Sequence, residues 1–269
     1  PFADFKFNDS DEYREFKLAA WLHDCGKITT PEHIVDKSTK LELIYNRIHE
    51  VRTRFEVLWR DAEIDYLRQL IRYPEQAHTL RQQLDQKQAQ LKDDFAFVAG
   101  ANIGAEFLSA EDAARLNALA ETPWQRHFDD RLGVSAIELE RYGKKAEALP
   151  VRETLLANKP QHLIERVNQQ AHDPRFGIQM DIPEHLYNQG ELYNLLVSRG
   201  TLTAEDRFKI NEHMIGTIKL LDNLPFPPEL ANVPRYASTH HETLTGTGYP
   251  RRLSAEDLSI PERIIAIAD

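Results

Sequence analysis

The chain has 269 residues, enough for one large domain or for a domain carrying a sizeable insertion, and 41% of them are hydrophobic, ample for a buried core. A net charge of −10 argues against a nucleic-acid polymer as partner, since a phosphate backbone demands clustered Lys and Arg; a small phosphorylated ligand stays open, because bound cations invert the field inside a pocket. The single Cys excludes an internal disulfide and suits a reducing cytoplasm, and no run approaches the roughly 20 apolar residues of a membrane span.

Helix formers abound, Gly is scarce and alternating β-branched runs are missing, so the expected fold class is all-α. The chain opens Pro-Phe-Ala without Met or a signal peptide, and reads as a piece of a longer protein. Asp9-x-x-Glu12 has the form of a helix-opening box. It predicts a helix from about Asp11 with Phe16, Ala19, Ala20 and His23 on or near one face, ending around Gly26. His23 and Asp24 then fall on its last turn. Pro31 starts a short helix through Val35.

Ile44, Ile48, Val51, Phe55 and Leu58 step by four and three, until Tyr73-Pro74 breaks the pattern. Leu80, Leu84, Leu91, Phe95 and Val98 repeat a similar spacing. An antiparallel helical hairpin is the economical reading, with inter-subunit pairing as the alternative. Residues 100–185 read as mixed helix and loop, punctuated by Gly and Pro. Thr203 caps a further helix with Leu220, Leu221 and Leu224 near its end, and Val233 to His241 forms another. Gly246-x-Gly248-Tyr249-Pro250 must be a sharp loop, and Pro261 opens a last helix towards Asp269.

The His23-Asp24 pair, the adjacent His240 and His241, and Asp269 are the ligand types of a multinuclear metal site. Imidazole suits borderline transition metals and a carboxylate bridges two of them. Metals so held make water nucleophilic at neutral pH, so hydrolysis is the expected chemistry. The bland reading of the pair alone is a histidine hydrogen-bonded at a helix end.

These residues resemble the HD-GYP family of metal-dependent phosphohydrolases. His23-Asp24-Cys25-Gly26-Lys27 matches H-D-x-G-K, and residues 240–250 match H-H-E-x-x-D-G-x-G-Y-P except that Thr245 stands for the Asp. Ala268-Asp269 matches the start of the family's closing motif. The family places one more histidine after a segment like G-x-L-T. His49 lies near the first motif but its spacing is wrong, whereas Gly200-Thr-Leu-Thr203 followed by His213 fits. That choice makes residues 1–40 and 199–269 an HD-GYP core truncated at both ends, with 41–198 a helical insertion, bundle-like and serving dimerisation or signal transmission.

The resemblance implies an HD-domain helical bundle and two divalent ions, iron or manganese. Asp24 would bridge them, with His213, His240 and His241 on one and His23 and Asp269 on the other. Lys27 would orient the phosphate, and Gly246, Gly248, Tyr249 and Pro250 would line the substrate pocket and make protein contacts. It implies a bacterial second-messenger phosphodiesterase that cleaves cyclic di-GMP to pGpG or GMP. The expected location is the cytoplasm, including as the cytoplasmic domain of a larger, membrane-bound sensor. Signalling proteins, through the loop or the insertion, and a second copy of the chain are the other partners it admits. The family helix before residue 1 brings a further histidine, so one ion is expected to be weakly held and this stretch alone need not be active. Two rivals remain: a non-catalytic module binding cyclic di-GMP or a protein, which Thr245 favours, and an HD phosphohydrolase for another nucleotide, which the Gly-Tyr-Pro loop disfavours. His33, His49, His78, His127, His162, His172 and His185 lack partners at ligand spacing and are expected at the surface or in packing, as is Cys25.

Overall fold

The computed structural model describes residues 5–104, 107–143, 145–167 and 172–269. Helix α1 (Ser10–Leu22) starts as predicted, the Asp9 carboxylate accepting from the backbone N–H groups of Asp11 and Glu12. Glu12 does not close the box; its carboxylate turns back to the backbone and amide of Asn8. The helix ends at Leu22, earlier than expected, and a 3-10 turn, Cys25–Thr29, follows. His23 is thus the C-cap, and Asp24 sits between two helical segments. After Pro31 comes α2 (Glu32–Val35).

Next, α3 (Ile48–Arg72) and α4 (Ala77–Ile103) are joined by a 3-10 turn at Pro74–Gln76. Contacts between Asn46 and Asn102, Phe55 and Phe95, and Glu63 and Gln88 advance along one helix while retreating along the other, which makes the pair an antiparallel hairpin. Ile44 is not part of the seam: it is 92% exposed in a tight loop closed by the Glu42–Asn46 bridge. Ser109 caps α5 (Ala110–Ala120). The stretch beyond departs from helix and loop, because β1 (Pro123–Arg126), lying before α6 (Ala136–Leu139), pairs antiparallel with β2 (Val151–Thr154). Likewise β3 (Leu163–Glu165) pairs antiparallel with β4 (His185–Asn188) ahead of α7 (Glu191–Leu195). Residues 105–106, 144 and 168–171 of that stretch lie outside the described residues. Even with these ribbons the chain is mostly helical, and the all-α expectation holds.

The last three helices are α8 (Ala204–Asp222), α9 (Val233–Ala237) and α10 (Ile260–Ala268), the last opened by a Ser259–Glu262 capping box. Helix α9 stops before the histidines, so His240 and His241 lie in the turn after it. No helix among the described residues is long and apolar enough to cross a membrane.

Contacts divide the chain into two units, one comprising residues through Val35, Arg166–Glu184 and Ala204–Asp269, the other Asp36–Glu165 and His185–Thr203. The first unit's core gathers Ala19, Leu221, Leu230, Val233, Ala237 and Ile265. The second has its own core, with Val51, Phe55, Leu91, Val98, Leu116 and Leu195 at its heart. At 0% exposure, Glu191 there accepts from Arg47, Arg54 and the Ala157 N–H. These limits fall elsewhere than the expected boundaries at 40 and 199. Residues 166–184 go with the first unit because the Arg166 guanidinium lies 4.9 Å over Phe208, the Gln179 N–H donates to the Pro250 carbonyl at 2.8 Å, and the Arg251 Nε donates to the Phe176 carbonyl at 2.8 Å. Residues 36–40 and 199–203 go with the second, where the Lys40 N–H donates to the Asn102 carbonyl and the Thr201 hydroxyl to the Lys37 carbonyl.

Candidate metal centre

The first unit brings distant parts of the chain together at one point. Three histidines there share one local device. The Nδ1 of His23 lies 2.7 Å from the Ala20 carbonyl, that of His213 2.6 Å from the Ile210 carbonyl, and that of His240 3.1 Å from the Ala237 carbonyl. Each ring is thus anchored three residues back along its own helical turn. A carbonyl only accepts, so each Nδ1 carries a proton, which leaves Nε2 as the ring nitrogen that a neutral imidazole offers as a lone pair.

Those Nε2 atoms converge on Asp24. His23 Nε2 lies 3.3 Å from Asp24 Oδ2, while His213 Nε2 and His240 Nε2 lie 3.6 and 3.8 Å from Oδ1. His23 Nε2 is also 3.3 Å from Asp269 Oδ1, so the final residue reaches the cluster from the end of α10. The ring of His241 packs 5.2 Å from that of His213 and 4.2 Å from that of His240. Two sets of ligand atoms lie within 4.8 Å of one another: His213, His240 and His241, and His23, Asp24 and His240. His240 belongs to both, which differs from the expected partition that gave it to one ion.

The electrostatics favour ligation. Burial pushes the His213 and His240 rings below the ordinary imidazole value, and burial, with the neighbouring His240 and His213, lowers His241 to about 4. Burial works to raise the Asp24 carboxyl, but the hydrogen bond from Lys27 and the charge of its ammonium oppose it, and the group is held below its ordinary value. Neutral rings around an ionised carboxylate are the protonation states that a cation needs. Asp24 Oδ1, His213 Nε2 and His240 Nε2 are buried without a hydrogen-bond partner. A buried unsatisfied polar atom costs about 1–3 kcal/mol, so three at one point fit a divalent cation that all three would ligate.

Lys27 Nζ sits 2.7 Å from Asp24 Oδ2, its side chain half exposed. In the Gly-Tyr-Pro loop, Gly246 takes a positive φ of +74°. Gly248 has no room for a side chain, since a Cβ there would lie 2.5 Å from the His241 carbonyl oxygen and from Glu242 Cα. These two have backbone roles. Tyr249 stacks on His241 at 4.7 Å, and burial with the nearby Asp269 and Asp24 pushes its phenol up to about 12. Pro250 is tied through its carbonyl to Gln179. Thr245 shares hydrogen bonds with Thr243 and Thr247 through the three hydroxyls.

Three supports escaped the sequence reading. Glu242 accepts from the backbone of Arg251 and Leu253 and so holds the loop closed. Arg251 donates to the Ser238 hydroxyl. Thr217 bonds the His23-Asp24 turn. A usable signal existed for the last, because Thr217 follows His213 by four and so shares its helix face.

A helical unit that gathers imidazoles around the Asp24 carboxylate, with the Asp269 carboxylate beside His23, has the ligand types of a metal-binding domain. Consistent with this, residues 150–269 match the family model described as an HD domain; HD domains are generally metal-dependent phosphohydrolases. That match takes in His213, His240, His241 and Asp269 but not His23 or Asp24. Over 34 residues the chain is 56% identical to 3'3'-cGAMP-specific phosphodiesterase 1 of Vibrio cholerae serotype O1, a stretch covering 13% of this chain and 8% of that relative. No solved structure matches significantly.

Proposed function

We propose that the chain is the HD-GYP-type part of a metal-dependent phosphodiesterase acting on a cyclic dinucleotide in bacterial signalling, cyclic di-GMP being the first candidate. The relative named for 3'3'-cGAMP makes that hybrid dinucleotide the second candidate. The observation carrying this reading is the common anchoring of His23, His213 and His240 through Nδ1, with orphaned Nε2 atoms on His213 and His240 turned to Asp24. Tautomers fixed from behind are what ligating histidines require.

His213, His240 and His241 would hold one divalent ion, and His23, Asp24 and Asp269 the other, with His240 and Asp24 lying between the two sets. Bound there, iron or manganese supplies Lewis acidity for a phosphoryl oxygen and lowers the pKa of water. The chain's own residues do the rest. Asp24 remains ionised through its pairing with Lys27. The Lys27 ammonium, half exposed, offers a cation to a non-bridging phosphate oxygen. Tyr249, a neutral phenol, packs on His241 and keeps water from that side of the ring.

The test is metal analysis after loading with Mn²⁺ or Fe²⁺, paired with hydrolysis of cyclic di-GMP and 3'3'-cGAMP. Wild type is expected to retain metal and His240→Ala to lose most of it. Equal metal in both would overturn the ligand set, and tight binding of an uncleaved dinucleotide by the metal-loaded protein would replace the enzyme with a binding module.

A further inference from the structure

We infer that Thr217 is a positioning residue for the metal centre: its hydroxyl clips the turn that carries His23 and Asp24 onto α8, one helical turn beyond His213. The inference rests on the metal reading above. Thr217 is fully buried, and both capacities of its hydroxyl are used. Oγ1 accepts the Gly26 N–H at 3.0 Å and donates to the His23 carbonyl at 3.2 Å. The two bonds bracket Asp24. A helical threonine ordinarily bonds back to the carbonyl four residues earlier, here that of His213; this one bonds across to another segment instead.

The clip works because the backbones approach closely. A Cβ on Gly216 would lie 3.3 Å from Gly26 Cα, and one on Gly26 would fall 1.9 Å from the His213 carbonyl oxygen. Thr29 Oγ1 donates to the Gly26 carbonyl at 2.8 Å and stiffens the turn from its other end. Against that crossing the hydroxyl sets the register of turn and helix, and with it the 3.6 Å between His213 Nε2 and Asp24 Oδ1. A side chain that packs equally well without a hydroxyl leaves the Gly26 N–H and the His23 carbonyl unpaired, and Asp24 is free to drift.

Thr217→Val removes the hydroxyl at nearly constant shape, and Thr217→Ser restores it. Leu221→Ala, one turn further along α8 in the apolar core, serves as a variant that loses stability without touching the turn. Mn²⁺ affinity of the whole chain is measured by equilibrium dialysis, alongside thermal melting. The Val variant is expected to bind Mn²⁺ about 10–100-fold more weakly, the range for partners that orient metal ligands, while the Ser and Leu221 variants stay within about threefold of wild type. Unchanged affinity in Thr217→Val, or an equal loss in Leu221→Ala, overturns the positioning role. Wild type that binds no Mn²⁺ sinks the metal reading instead. Hydrogen exchange at the Gly26 amide then still decides the clip: protection lost in Val and kept in Ser supports it, and protection unchanged in Val refutes it.

Discussion

Gly26 offers the sharpest test of the geometry behind the site. The added Cβ of Gly26→Ala would lie 1.9 Å from the His213 carbonyl oxygen, 2.5 Å from the Thr217 nitrogen and 2.7 Å from the Thr217 hydroxyl. A carbon needs about 3.3 Å from an oxygen, so the turn must withdraw from α8 by more than an ångström. Two of the three opposing atoms are helix backbone and cannot rotate away. Overpacking costs about 1–3 kcal/mol where neighbours yield, and occasionally more. Losing the Gly26 N–H to Thr217 bond adds about 1–3 kcal/mol if the donor stays buried. The stiffer unfolded chain returns only about 0.4–1 kcal/mol. A net loss of about 3 kcal/mol is expected, together with a marked loss of Mn²⁺ affinity as Asp24 leaves His213. Gly100→Ala is the control: it sits within α4 with nothing near its Cβ, and should stabilise by ~0.5–1 kcal/mol through helix propensity. Urea unfolding of the two variants beside wild type measures both signs. Gly26→Ala as stable as wild type, or Gly100→Ala losing as much as Gly26→Ala, refutes the close approach.

Chelation should destabilise the loaded protein by about 2.7 kcal/mol when the free ion had stood at a hundred times its dissociation constant; a melting temperature indifferent to EDTA would contradict the orphaned atoms as ligands. Glu191→Ala strands Arg47 and Arg54 around a fully buried site and should cost about 3–5 kcal/mol in urea unfolding, and a loss under 1 kcal/mol would show that the pairing is slack. Burial, with Arg47 nearby, lowers His162 from 6.5 to about 4, and its neutral Nδ1 accepts the Lys159 N–H. Below pH 6.5 the unfolded chain therefore takes up a proton that the folded one refuses, so this contribution is complete above pH 6.5 and is lost as pH falls towards 4. His162→Gln should flatten the fall in urea midpoint between pH 7.5 and 5, and identical slopes would exclude the effect.

Much of the architecture follows from signals of short range. Asp9 and Ser109 cap helices because a side-chain oxygen meets free N–H groups within three residues, and Glu262 reaches back to the Ser259 N–H over the same span. The α3–α4 hairpin is readable because its apolar steps persist over many turns and Tyr73-Pro74 interrupts them. The strands were invisible for the opposite reason. Each has three or four residues, too few for an alternating pattern to emerge. Ile44 continued a spacing that the Glu42–Asn46 bridge had already ended, an instance of periodicity outrunning the element that causes it. The ties of residues 176–179 to the Gly-Tyr-Pro segment use main-chain groups of residues 176 and 179, and main-chain groups leave no mark in side-chain identity.

The centre divides along the same line. Residue types predict ligands, and the structure gathers His23, Asp24, His213, His240, His241 and Asp269 from four separate parts of the chain. What types alone could not supply is orientation, which comes from main-chain carbonyls behind three of the rings. Because the acceptor is backbone in each case, substituting Ala20, Ile210 or Ala237 by another helix-compatible residue leaves the anchoring carbonyl in place. Shifting the register of the turn does not. The site is therefore more vulnerable to changes at Gly26, Gly216 and Thr217, which set that register, than to changes in the residues that hold the rings. A comparison of Mn²⁺ affinity between Ala237→Ser and Gly26→Ala would decide it, with the second expected to lose far more.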